Sequence, residues 1–310
     1  MKKIAISLVR NTQGPVVGHK RVMSYGPTGS SKTHFAATWP RPLFLSDFSE
    51  HGWSTIEEMN RNYWDDPKVA PQVIAIEHPS EVMQYVQELS IAKQQGRTDP
   101  NGKIDQAHLI QTLVIDSLTL HSDAMLALLS NGAQQANKDV DMRRVYGKLG
   151  SYLQNLVIMT HMLPCHVVWL CLERSPTEED PTGGPLLSGQ ASLKFPARCD
   201  YIFYHRANHV PGRAPTFEIR TRNFQKMPAR VRGRLPDPIT DVSYRGFLAA
   251  LESAHEDTDT APAADVPENE QTEDGGDQTQ QPPAATPQVA APIRAPQPVR
   301  RIVPAPPQRR

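Results

Sequence analysis

The chain has 310 residues, 38% of them hydrophobic, enough for one large domain or two small ones with a sizeable core. Its 33 basic and 33 acidic residues cancel, so any nucleic-acid surface must be local rather than global. Three cysteines, Cys165, Cys171 and Cys199, form no CxxC pair, which excludes a disulfide scaffold and fits a reducing cytoplasm.

Met1-Lys2-Lys3 followed by Ile4 to Val9 imitates a signal peptide. The apolar run is short, however, and Arg10-Asn11 ends it without a small-residue cleavage site. It reads instead as an edge strand. No stretch has the length of a membrane span, so the expected protein is soluble and cytoplasmic.

Arg21 to Tyr25 reads as a buried strand, followed by the loop Gly26-Pro27-Thr28-Gly29-Ser30-Ser31 and then Lys32-Thr33-His34. A helix from Thr33 to Thr38 is halted by Trp39-Pro40. Strand, glycine loop and helix in that order are what a phosphate-binding loop requires. Backbone N–H groups converge on phosphate oxygens, and the positive end of the helix adds to them. Residues 26–34 are therefore the candidate nucleotide contacts. Lys32 is placed to reach the β- and γ-phosphates of ATP, and the Thr33 hydroxyl to ligate Mg2+. Ser31 departs from the pattern Gly-x-x-x-x-Gly-Lys-[Ser/Thr], since its Cβ stands where backbone must approach phosphate.

Pro42 to Asp47 is a second buried strand ending in a carboxylate, with Glu50-His51-Gly52 in the loop behind it. Val73 to Glu77 is a third strand. A helix from Pro79 to about Gln95 follows, with Val82, Tyr85, Val86 and Leu89 on one face. Gly96 to Lys103 is a polar turn, and Leu109 to Ile115 is a strand ending in Asp116-Ser117. An apolar strand closing on Asp, well downstream of a phosphate loop, is a Walker B arrangement. Asp116 then joins Thr33 as a metal-site candidate.

Leu118 to Leu129 reads as a helix, Ser130 to Asp141 as a Gly/Gln/Asn-rich loop, and Met142 to Met162 as a long amphipathic helix. His166 to Glu173 is a central strand ending in a carboxylate, and Arg174 to Pro196 is a long loop without periodicity. Tyr201 to Tyr204 and Phe217 to Arg222 are adjacent strands, and Phe247 to Leu251 ends the last helix. From Ser253 the composition becomes acidic, then Pro-rich, with a basic end. The expected division is a folded domain over 1–252 and a disordered tail over 253–310.

Alternating strands and helices imply an α/β fold, a mostly parallel sheet with helices on both faces. Its ligands bind at the carboxyl ends of the strands, where Gly26, Asp47, Asp116 and Glu173 fall. No Asn-Lys-x-Asp is present to read guanine, and no clear arginine-rich lid precedes Asp116, which leaves a nucleoside triphosphatase of the ATP-using kind.

Tyr25 to Thr33, Leu113 to Thr119, Tyr146-Gly147-Lys148-Leu149, Leu163 to Val168 and Pro185 to Gly189 resemble phage-encoded P-loop ATPases with a RecA-like core, associated with single-strand annealing and recombination. The resemblance spans roughly residues 20 to 235 and implies ATP, Mg2+, single-stranded DNA and a homo-oligomeric ring or filament. It implies a water-positioning carboxylate, which Asp47 matches with Glu50 as second choice. It also implies two DNA-facing loops. These are Ser130 to Arg144, with Lys138, Arg143 and Arg144, and Arg174 to Arg198, with Arg174, Lys194, Phe195 and Arg198 as cations and a stacking ring. A cation from the neighbouring subunit is expected from Arg222 or Lys226. Two other readings share both Walker motifs: a helicase loader or remodeller, and a nucleotide-regulated scaffold that hydrolyses little. The tail is a candidate protein-binding segment.

Overall fold

The structure is a computed structural model that describes residues 18–47, 52–62, 70–95, 106–135, 141–178 and 180–259. The expected strand Ile4–Val9, Glu50, Lys138 and the tail from residue 260 lie outside the described residues.

Apolar runs that are buried on both faces form the middle of the sheet. The central strand β1 (Arg21–Gly26) is buried along its whole length. It pairs in parallel with β5 (His166–Arg174) on one side and β7 (Tyr201–Asn208) on the other. Beyond β5 come β4 (Thr112–Asp116), β2 (Pro42–Asp47) and the edge strand β3 (Gln72–Ile76), all parallel. β8 (Thr216–Arg220) closes the other edge antiparallel to β7, and the two-residue β6 (Gly184–Pro185) pairs with the end of β5. Among the described residues the sheet thus has eight strands, with the path β3-β2-β4-β5-β1-β7-β8.

Side-chain alternation divides the core into two layers. Met23, Leu45, Leu113, Ile115 and Trp169 face α3 (Glu81–Gln94), α5 (Leu118–Gln135) and α6 (Met142–Met162). Val22, Phe44, Val114, Val168 and Phe203 face α1 (Lys32–Ala37), α2 (Gly52–Asn62) and α8 (Tyr244–Asp259). Helices cover both faces, as the strand–helix alternation implied. A short α4 (Gln106–Leu109) leads into β4, and α7 (Ala191–Lys194) with a 3-10 turn at Pro196–Arg198 leads into β7. No helix among the described residues is long and apolar enough to cross a membrane.

Arg21 shows how a charge is accommodated at the start of the central strand. Its guanidinium is 8% exposed and donates to the carbonyls of His161 (2.9 Å), Leu163 (2.9 Å) and Cys165 (2.6 Å). The His161 and Leu163 carbonyls at the end of α6 carry the partial negative charge of a helix C-terminus, which holds the buried cation there.

Four points depart from the expectations. α5 runs to Gln135, so Ser130 to Gln135 is helix rather than loop, because its preceding turns pack on the core through Met125, Leu126 and Leu129. The stretch Arg174 to Pro196 is not a continuous loop: it contains the end of β5, β6 and α7. α2 was not expected at all, and α8 continues past the compositional change at Ser253 to Asp259.

Candidate nucleotide site and adjoining groove

The loop after β1 has the geometry its sequence requires. Gly26 cannot carry a side chain, since a Cβ there would stand 2.4 Å from the backbone carbonyl oxygen of His205 on β7. Gly29 lies in the left-handed region at φ 76. Ser31 also lies there, at φ 69 and ψ 20, directly before α1. That conformation is the physical reason for a glycine at this place in the general pattern, and serine occupies it at a steric cost.

Lys32 folds back over the loop, its Nζ donating to the carbonyls of Gly26 (2.9 Å) and Pro27 (2.7 Å). Thr33 Oγ1 donates to Asp116 Oδ2 at 3.1 Å, which joins α1 to the end of β4. Asp116 is 5% exposed. A Cβ on Gly52, at the start of α2, would lie 3.1 Å from that Asp116 oxygen and 3.8 Å from the Thr33 hydroxyl. A hydroxyl and a carboxylate thus face a space kept free of side chain by a glycine, a donor set that suits Mg2+. His34 follows on α1, half-buried.

The other carboxylates separate by strand parity. Ser46 stands opposite Asp116 in the β2–β4 register, so Asp47 is one residue further along and belongs to the α5 face. There it lies near His121, whose Nε2 meets the Tyr152 hydroxyl at 2.9 Å. Burial lowers the His121 pKa to about 4, against a small opposing pull from Asp47. Glu173 stands one residue before the end of β5, near Tyr204, whose pKa is raised to about 12 by burial and then by this carboxylate. Its Oε2 is buried without a hydrogen-bond partner among the described residues.

His205 carries no obvious sequence signal, yet it forms the floor of the loop. It is completely buried beside the Phe35 ring, and neither ring nitrogen makes a hydrogen bond of normal geometry among the described residues. Burial, then the nearby Lys32 charge, lowers its pKa to about 3, with a backbone group of Ser30 opposing.

The candidate DNA residues divide. Arg143, Lys194 and Arg198 are exposed and line one groove of about 770 Å³ between α6 and the segment 188–198. Arg143 and Arg144 stand in the first turn of α6 rather than in a loop, with Asp141 capping that turn through the Arg143 N–H (3.0 Å). Phe195 is corrected as a stacking ring: it is 3% exposed and packs edge-on against Trp169 in the core. Arg174 is also corrected as a free cation, because it is ion-paired with Asp180 and donates to the Thr182 carbonyl. The ring that does reach the groove is Tyr146, 43% exposed.

Arg222 and Lys226 are exposed in a hairpin closed by reciprocal Phe224–Met227 backbone bonds. Phe224 lies under the guanidinium groups of Arg206 (4.6 Å) and Arg220 (4.1 Å). The Tyr25 hydroxyl donates to the Pro228 carbonyl at 2.6 Å, which ties the hairpin to the end of β1.

Residues 19–232 match the AAA domain family over more than half of the chain. The chain belongs to that family. It therefore has an ATPase-type nucleotide-binding P-loop core, the coarse class that its loop and Walker B strand had implied. No curated protein matches it in sequence. Among solved structures it is similar to the RadB recombinase at 15% identity and a TM-score of 0.42, with 71% of this chain and 86% of that one covered. It is also similar to a KaiC-like protein of the hyperthermophilic archaeon Pyrococcus horikoshii at 14% identity and a TM-score of 0.35, covering 69% and 83%.

Proposed function

We propose that this AAA-domain protein is a RecA-like, phage-type ATPase that binds and hydrolyses ATP and acts on single-stranded DNA in recombination or replication. One observation carries the DNA part. Cations from α6 (Arg143) and from the separate segment after β6 (Lys194, Arg198) converge on one groove, and no acidic residue is among those lining it. Cations with no ion pair among the described residues, beside an exposed aromatic, suit a phosphate backbone with accessible bases.

In the nucleotide site Lys32 exchanges its two loop carbonyls for phosphate oxygens, while the loop N–H groups hold the remainder. Thr33 and Asp116 would hold Mg2+, which when bound would supply charge neutralisation at the phosphates. Asp47, at the tip of the strand beside β4, would orient a water from the α5 side, and Arg222 or Lys226 would add a cation from a neighbouring copy of the chain in a ring or filament.

The AAA-domain match sits equally well with a helicase loader or remodeller. The two readings part on what stimulates turnover. ATP hydrolysis by the full chain is expected to rise with added single-stranded DNA and to vanish in Lys32→Ala. A turnover indifferent to DNA but raised by a protein partner would move the assignment to the loader.

A further inference from the structure

α6 is a 21-residue helix carrying two interior glycines, Gly147 and Gly150. A glycine inside a helix weakens it, so packing normally has to demand one. Packing among the described residues does not demand either of these, since a Cβ built at each position meets none of them within 4 Å. Both instead line the 770 Å³ groove, and so what their missing side chains leave open is the groove itself.

The same turn of α6 carries Tyr146, the most exposed aromatic ring of this groove, and its seat is defined. A Cβ on Gly189 would lie 3.3 Å from the Tyr146 Cδ1, so the ring rests on bare backbone. Gly189 itself adopts φ 63, which favours glycine there. The segment bearing Gly189 is fastened to α5. Thr119 Oγ1 donates to the Leu186 carbonyl (2.8 Å) and accepts from the Leu172 N–H (3.0 Å), and Ser188 Oγ donates to Asp123 Oδ1 (2.9 Å). The platform is therefore held from behind, and 43% of Tyr146 remains exposed.

We propose that this groove seats unstacked nucleobases of a single strand, with Tyr146 as the stacking platform and Gly147 and Gly150 as the space the bases enter. This rests on the single-strand reading above and adds to it the chemistry recognised. Base faces are held by Tyr146, phosphates by Arg143, Lys194 and Arg198, and duplex DNA, whose faces are already stacked, is excluded. The room available suits a nucleotide-sized group.

The test uses the full chain and two probes of equal charge, an oligothymidylate and an all-abasic strand of the same length. The wild type is expected to prefer the base-bearing strand. Tyr146→Leu is expected to lose roughly 5- to 100-fold in affinity for that strand and little for the abasic one, while Tyr146→Phe retains the preference. Gly150→Leu is expected to fill the groove with the same selective loss. Gly147→Ala with Gly150→Ala is expected to raise Tm by a few degrees while weakening only base-dependent binding. If the wild type binds both strands alike, or if Tyr146→Leu and Gly150→Leu keep the preference, the inference is wrong while the single-strand reading stands. If neither strand binds, that reading is wrong as well. Loss of self-association in Gly150→Leu without any change in DNA affinity would make the groove a subunit contact and overturn the proposal.

Discussion

At the scale of single residues, backbone conformation decides what the loop tolerates. Gly26 faces a backbone oxygen that no rotamer change can move. Gly26→Ala is expected to destabilise the protein by about 1–3 kcal/mol and to abolish nucleotide binding, read by thermal melts and by titration with a fluorescent ATP analogue. Ser31→Gly has the opposite sign. It relieves a left-handed serine at φ 69, so Tm is expected to rise by the equivalent of about 1 kcal/mol, with turnover held or increased. A clear loss of turnover would give the Ser31 hydroxyl a role of its own. The buried histidines are expected to lower stability in acid. His205, with its pKa lowered to about 3, stays neutral in the fold, while the unfolded chain binds a proton below about 6.5. Its contribution is complete above pH 6.5 and is lost as pH falls through that window towards 3. Between pH 7 and pH 5 it alone removes about 2 kcal/mol, and His121 and His166, both lowered to about 4 by burial, act in the same direction. Urea melts against pH are expected to show this slope, shallower in His205→Gln if that variant folds.

At the scale of elements, α8 is part of the domain although it runs into the compositional tail. Phe247 is fully buried against Tyr201 and Phe203, and its ring stacks at 5.8 Å on Trp39. Phe247→Ala is expected to cost about 3–5 kcal/mol. A chain ending at Asp259 is expected to keep the full-length Tm, whereas one ending before Tyr244 exposes this aromatic cluster and does not fold. The hairpin bearing Arg222 and Lys226 makes a different demand, since a cation donated between subunits acts only in an assembly. Arg222→Ala with Lys226→Ala is expected to leave nucleotide affinity unchanged and to remove the rise of specific activity with protein concentration. The element boundaries also show where sequence reading fell short. Gly132, Asn131 and the glutamines after them suggested a loop, but α5 is anchored by apolar residues a turn or two earlier, and helix propagation carries through the weak formers.

Over the whole molecule the sheet carries the two proposed sites at neighbouring places. The loop site lies at the end of β1, and the groove lies along the start of α6, which reaches the same end of the sheet because β5 begins directly after it. Net charge is zero, so the cations of the groove act as a local field rather than a global one. Log affinity for single-stranded DNA against log salt is expected to be linear. Arg143→Ala and Lys194→Ala are each expected to reduce its slope by roughly 0.7 without changing ATP affinity. An unchanged slope in both variants would remove these residues from the phosphate path.

The phosphate loop and the Walker B strand were legible because their chemistry is local. Gly26 to Thr33 are covalent neighbours, and an apolar run ending in Asp116 places its carboxylate at a strand tip wherever that strand packs. Strand–helix alternation likewise determined an α/β sheet with helices on both faces. What became of the cations and rings was decided only by packing. Phe195 and Tyr146 look alike as aromatics beside basic residues, yet Trp169 takes the first into the core and Gly189 props the second at the surface. Arg174 and Lys194 lie in the same stretch of sequence, but only Arg174 has Asp180 within reach. Such outcomes depend on partners separated along the chain or on local turns that bring side chains together, and sequence order does not encode those distances. Tertiary structure alone settled them, by burying one ring, pairing one cation and leaving two glycines to hold a groove open.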